Sequence, residues 1–186
     1  VQTVNLPYGA QPFGLAFAPN GSAAYVALEA GAKLLRLDPA TGTQTGSVDV
    51  GSNVRQIAIS ANSSKLYLSR FITPRLPGEE TAAPNVASGG GEVVLVDAAS
   101  LTVIKTILLR HSDKPDIESA GRGLPNYLGP VVIAPDGLNG WTPSKQDNLL
   151  RGTLRDGNNL NFQNTVRAIS SRIDLTTDAE NYPARM

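Results

Sequence analysis

Three observations predict an all-β chain assembled from repeated four-stranded antiparallel units. Its apolar segments are strand-sized and separated by turn formers such as Pro-Asn-Gly, Pro-Ala-Thr-Gly, Asn-Ser-Ser and Pro-Asp-Gly. No stretch keeps apolar residues at i, i+3, i+4 and i+7 over three turns, so helix should be scarce. One strand–turn–strand pattern also occurs three times, as GLAFAPNGSAAYVA (14–27), QIAISANSSKLYLS (56–69) and PVVIAPDGLNGWTP (130–143).

The strands follow in order. Leu15–Ala18, Ala24–Leu28, Lys33–Asp38, Arg55–Ser60, Lys65–Ser69, Glu92–Asp97, Val103–Leu109 and Pro130–Ala134 are bounded on both sides by turns. Three columns align the repeats without a gap: Phe17, Ile59 and Ile133; Asn20, Asn62 and Asp136; Tyr25, Tyr67 and Trp141. Each copy reads as a strand, a tight turn with Asx chemistry, and a second strand carrying one large aromatic. A third strand ends in Asp at Asp38, Asp97 and, more loosely, Asp174. A fourth follows twice, over Thr45–Val50 and Val103–Leu109. Four short antiparallel strands returning about every 42 residues are the signature of a β-propeller blade. The expected layout is a partial propeller with blade one over 11–51 and blade two over 54–110 with an insertion at 71–91. An inserted loop at 110–127 precedes blade three, over 128–186 with an insertion at 144–163.

Composition narrows the function. The chain has 186 residues, 16 basic and 16 acidic side chains, and no basic stripe, which argues against a nucleic-acid binder. Without Cys there is no disulfide, thiolate metal site, Cys nucleophile or c-type haem attachment, and the single His excludes a two-imidazole site from one chain. No apolar run is long enough to span a bilayer, and the start at Val1 shows no basic-then-apolar leader.

Three blades fall short of the four to eight that usually close a ring. Thr3–Leu6 reads as the last strand of a preceding blade. Each end should then leave an exposed edge and an uncovered apolar flank. The expectation is a segment of a longer propeller, or one whose ring another chain completes. Eighteen residues separate Asn20 from Asp38, whereas 35 separate Asn62 from Asp97 and 38 separate Asp136 from Asp174. The extra residues sit between strands two and three, and the 110–127 connection joins strand four to the next strand one. Both connection types emerge on one face of a ring, so the insertions decorate one face, where binding loops commonly lie.

Candidate binding residues therefore lie in these insertions. The first holds Arg75, Glu79 and Glu80, with Gly89-Gly90-Gly91 as a hinge. The second gathers His111, Asp113, Asp116, Glu118 and Arg122, a cluster that could bind a hard or borderline cation or simply be a solvated loop. A Ser-His-Asp triad built on His111 has no nucleophile-elbow context, and no catalytic residue is assigned. The third holds Lys145, Arg151 and Arg155, with Leu149–Leu154 and Leu160–Val166 as arms of an extra hairpin around 155–158. Trp141, Tyr25 and Tyr67 have packing between blades as their default role.

QPFGLAFAPNG (11–21) and LRLDPATG (35–42) resemble the YVTN-type propeller repeat, whose pattern places a P-x-G turn and S-P-D-G ahead of Y-V and ends on D-x-x-T-G. Blade two departs at Ala61 and Ser63, and blade three has Trp141 for Tyr. That resemblance implies a bacterial exported, periplasmic or cell-surface protein. Related propellers include lactonase- and dehydrogenase-type enzymes, some metal-dependent. A narrower likeness, over WTPSKQDN (141–148), RGTLRDG (151–157) and NTVRAISSRID (164–174), is to propeller segments of large exported bacterial proteins. Those proteins carry c-type haem or di-haem-peroxidase-like domains elsewhere in the chain. It implies a haem-free, cofactor-free scaffold or docking segment beside an attached redox domain or a cell-surface ligand.

Overall fold

The computed structural model describes residues 3–75, 89–117, 120–148 and 166–186. Its strands form three antiparallel sheets, and the only helical element among the described residues is a 3-10 turn at Tyr182–Ala184. Sheet one runs β1 (Pro12–Phe17), β2 (Ala24–Leu28), β3 (Lys33–Leu37) and β4 (Gln44–Asp49) in sequence order. Sheet two repeats that order with β5 (Val54–Ile59), β6 (Lys65–Arg70), β7 (Gly90–Asp97) and β8 (Thr102–Arg110). Sheet three has β9 (Ser112–Ile117), β10 (Ala120–Asn126), β11 (Val132–Ile133), β12 (Asn139–Asp147), β13 (Val166–Asp174) and β14 (Ala179–Glu180). Within it, β11 to β14 pair in sequence order as a third blade, and the β9–β10 hairpin joins the outer half of β12. The fold is a β-propeller of four-stranded antiparallel blades, three of which are present.

The aligned columns have a common physical role. Asn20, Asn62 and Asp136 each accept a hydrogen bond at Oδ1 from the backbone N–H two residues on, at 3.0, 3.1 and 2.8 Å. This Asx chemistry closes the turn between strands one and two. Asp38, Asp97 and Asp174 close the turn between strands three and four in the same way, accepting from Thr41, Ser100 and Thr176 backbone N–H groups. Those bonds favour the carboxylate and hold all three acids below the usual range.

Packing happens between blades. Tyr25, Ala27 and Leu34 of blade one meet Val54, Leu66, Leu68, Val94 and Val96 of blade two in one core. Tyr67, Val93, Leu95, Ile107 and Leu109 of blade two meet Leu128, Val131, Ile173 and Leu175 on the other side. The Tyr25 hydroxyl donates to Ala98 O of the next blade, and the Tyr67 hydroxyl to Asp178 Oδ1 at 3.0 Å. Burial pushes both phenols up, Tyr67 strongly, with the Asp178 charge adding to it. Lys65 Nζ completes the second seam with a 2.5 Å ion pair to Asp178.

Several sequence expectations need correction. The segment 110–127 is no loop but chiefly the β9–β10 hairpin, because β12 extends beyond β11 and offers β10 a free edge. For the same reason 144–147 belongs to β12 rather than to an insertion. Gly90 and Gly91 are strand residues, not a hinge: a Cβ at Gly90 would lie 2.2 Å from Leu109 O on the paired strand. Thr3–Leu6 forms no strand, although Leu6 packs on blade one. Blade three does have a fourth strand, the two-residue β14, too short to show as an apolar run.

Two outcomes are expected. Tyr67→Phe keeps the ring and removes one buried seam hydrogen bond, and should cost about 1 kcal/mol in urea unfolding. Because Asp38, Asp97 and Asp174 titrate lower in the folded chain than in the unfolded one, their stabilisation is complete above about pH 4 and lost as pH falls through the depressed values. The melting temperature should therefore hold near neutrality and decline in acid, with a shallower acid decline in Asp97→Asn.

Candidate functional site: the decorated face

The connections from strand two to strand three and from strand four to strand one leave the blades at the same end. There the first strand of each blade begins and the second ends. Arg55, at the start of β5, has its guanidinium 3.4 Å from the Phe71 ring centroid and 4.8 Å from that of Phe13. Its Nε lies 2.8 Å from Glu29 Oε1, at the end of blade one's second strand. Phe71 meets Tyr127 edge to face, centroids 4.8 Å apart, and Lys145 Nζ lies 3.9 Å over the Tyr127 ring. Cations and rings thus form one row from blade one to blade three, in the order Phe13, Arg55, Phe71, Tyr127 and Lys145, with Phe71 and Tyr127 in direct contact. Aromatic quadrupoles favour this ordering, with each cation over a ring face.

Below this row, the insertions meet at β10. Thr73 N–H donates to Asn126 Oδ1 at 2.9 Å, and Thr73 Oγ1 donates to Pro125 O at 2.6 Å. Asn126 Nδ2 donates to Asp147 Oδ2 at 2.8 Å, and Lys145 pairs with Asp147 at 3.2 Å. Gln146 Nε2 and Ser112 Oγ both donate to Gly121 O. Arg70 braces the connection from blade one to blade two, donating to Val50 O and Ser52 O while ion-paired to Glu92 at 2.6 Å. The face is a hydrogen-bonded platform of strands.

The residues singled out from the sequence fall into three groups. Arg75 and Asp113 are exposed, and Lys145 is half-buried within the row. His111 and Arg122, expected on a solvated loop, are buried at 3% and 4% exposure because the hairpin that carries them folds into sheet three. Asp113 and Arg122 sit opposite each other in the β9–β10 register, one residue from the Ser112–Gly123 pair. Asp116 lies on β9. Glu79, Glu80, Glu118, Arg151, Arg155 and both arms of the hairpin expected around 155–158 lie outside the described residues, except Val166, which begins β13. Among the described residues, no group of three or more His, Cys, Asp or Glu side chains could hold a metal ion.

Sequence reasoning missed the aromatic–cation row. Its signal was positional: Phe13, Phe71 and Tyr127 stand outside the Tyr25–Tyr67–Trp141 column, each at the same end of its blade. Phe13 is 53% exposed and Tyr127 41%, so the row offers ring surface to solvent.

No protein-family model matches the chain, and no curated protein does. Solved structures do. A candidate 6-phosphogluconolactonase from Bacteroides uniformis aligns with 94% of this chain at 13% identity and a TM-score of 0.51, over 40% of its own length. A protein from Lactobacillus plantarum aligns with 98% of the chain at 18% identity and a TM-score of 0.50, over 43% of its length. A eukaryotic initiation factor aligns with 96% at 13% identity and a TM-score of 0.51, over 33% of its length. The chain is similar to these proteins in fold, and spans less than half of each of them. No helix among the described residues is long and apolar enough to cross a membrane.

Arg55→Met should cost about 1–2 kcal/mol, since it removes a cation held between two rings and leaves Glu29 unpaired. Loss of the near-ultraviolet circular dichroism of Phe71 and Tyr127 should accompany it. Tyr127→Ala, at a half-exposed position, should move the melting temperature far less.

Proposed function

We propose that this chain is a non-catalytic binding scaffold, a propeller segment of an exported bacterial protein whose decorated face holds a protein partner or an attached redox domain. One observation carries the reading: the inserted segments converge on β10 directly beside a solvent-facing aromatic–cation row. Exposed aromatic side chains beside an Arg are among the residue types enriched in protein-binding surfaces. The YVTN resemblance supports a periplasmic, cell-surface or secreted location. In this proposal the segment contributes surface and orientation but no cofactor, and the remaining blades come from flanking sequence or from another chain.

A photo-crosslinking residue tests the face directly. Placed at Tyr127 in the natural protein, it should trap one defined partner or domain. Placed at Ala61, in the exposed β5–β6 turn at the opposite end of the middle blade, it should not. Equal trapping at both positions, or none at Tyr127, overturns the reading.

A further inference from the structure

We propose that the seam between blades two and three is a joint that opens, admitting water to a layer of buried hydroxyls and parting Phe71 from Tyr127, while the seam between blades one and two stays shut. The proposal rests on how the two seams are packed and not on the role assigned to the decorated face. It holds whatever blades lie on either side.

The repeat lets the two seams be compared column by column. In the first seam Ala27 of blade one joins Leu68 and Val94 of blade two in one apolar core. Register puts Ser69, Thr142 and Ser171 in the same columns of the second seam. Ser69 pairs with Val93 as Ala27 pairs with Leu34, and Thr142 pairs with Ser171 as Leu68 pairs with Val94. Ser69, Thr142 and Ser171 are all fully buried. Thr142 Oγ1 donates to Gly129 O at 3.0 Å, within its own blade. Ser69 Oγ and Ser171 Oγ have no hydrogen-bond partner among the described residues, and neither has the buried Ser144 Oγ on the Thr142 face of β12. Hydroxyls thus stand in the second seam where the first has alkyl groups.

A buried hydroxyl without a partner destabilises the closed seam, because opening returns it to water, whereas an alkyl group in the same place favours closure. The first strands add to the contrast. β1 closes on β5 so tightly that a Cβ at Gly14 would lie 2.2 Å from Arg55 O. Gln56 occupies the Gly14 column in blade two, and its Cβ bars β5 from an equal approach to blade three. The hydroxyl layer lies on the decorated-face side of Tyr67 and Ile173, whose apolar core and Asp178 contacts hold the other end of the seam. On the decorated face itself, blade two meets sheet three through the Phe71–Tyr127 edge contact and the Thr73 bonds to Pro125 and Asn126. Opening therefore starts at that face and splits the aromatic–cation row between its two touching rings.

This sequence has no Cys, so an introduced thiol reports opening at its own position. Ala27→Cys and Val94→Cys place it in the first seam, and Ser69→Cys and Ser171→Cys in the matching columns of the second. The natural protein carrying each change is labelled with an aromatic disulfide under native conditions and read peptide by peptide by mass spectrometry. Both second-seam thiols should react at least roughly tenfold faster than their first-seam counterparts. Ala27→Cys and Val94→Cys disturb an apolar core more than Ser→Cys does, so any packing fault works against this outcome. Adding Ser171→Val, the residue of the matching column, to Ser69→Cys should slow labelling roughly tenfold. Adding Tyr127→Ala to Ser69→Cys should speed it severalfold, and leave Ala27→Cys unchanged. Equal labelling of the two seams overturns the proposal and points to hydroxyls satisfied by fixed internal water. A rate unmoved by Ser171→Val overturns it too, because opening then does not depend on the hydroxyl layer. A rate unmoved by Tyr127→Ala shows that opening does not pass through the row, which also overturns it.

Discussion

The seam between blades is the constraint on which everything else depends. A four-stranded blade has two apolar faces and no interior of its own, so its strands are stable only when another blade lies against each face. Tyr25 and Tyr67 show how the problem is solved. Each is almost fully buried, each lies on the second strand, and each carries its hydroxyl to the next blade's outer turn. The ring contributes burial, and the hydroxyl limits how far one blade can slide or rotate on the next, since a buried phenol without a partner is costly. The position of each first strand follows from this packing. Gly14, for instance, lies so close to the backbone at Arg55 that a Cβ would fall 2.2 Å from its carbonyl oxygen.

The decorated face depends on those first strands. Arg55 reaches Phe13 and Phe71 only because β1 and β5 stand side by side, and Tyr127 reaches Phe71 only because blade three closes on blade two. The described parts of the second and third insertions then add to this platform as strand rather than as coil. β12 and β13 run nine residues each, and their outer halves provide the edge to which β10 and β9 are added. Building on existing strands satisfies the backbone hydrogen bonds of the inserted residues, which a long coil over the same surface would leave to water. It also explains why His111 and Arg122 are buried in a segment whose composition reads as a solvated loop.

The repeat was legible because its columns have local causes. Asn20, Asn62 and Asp136 close their turns with their own side chains, and Asp38, Asp97 and Asp174 do the same one hairpin later, so residue identity alone reveals the geometry. Ser63 and Leu101 hold left-handed backbone where the other copies have glycine or Asp, so those turns survive substitutions that hide them from pattern matching. The β9–β10 hairpin was not legible. Its strands carry Lys114, Pro115, Gly121, Gly123 and Pro125, residues that weaken a strand assignment, and they form because β12 supplies a paired edge. The aromatic–cation row was hidden for another reason. Its members are far apart in the sequence and meet only through the ring.

The two seams, alike in shape, are held by different chemistry. Seam one places a phenol on a backbone carbonyl, which any residue could supply, whereas seam two places it on the Asp178 carboxylate, shared with Lys65 and borne on a left-handed backbone, φ 51°. The blades are therefore not interchangeable parts. Any blade placed after blade one would supply a backbone carbonyl to Tyr25, but a copy of blade one in the third position would bring Gly42 where Asp178 stands and leave Lys65 without that carboxylate. Gene duplication can multiply such a module, and the polar key on its outer turn then sets the order in which the copies assemble.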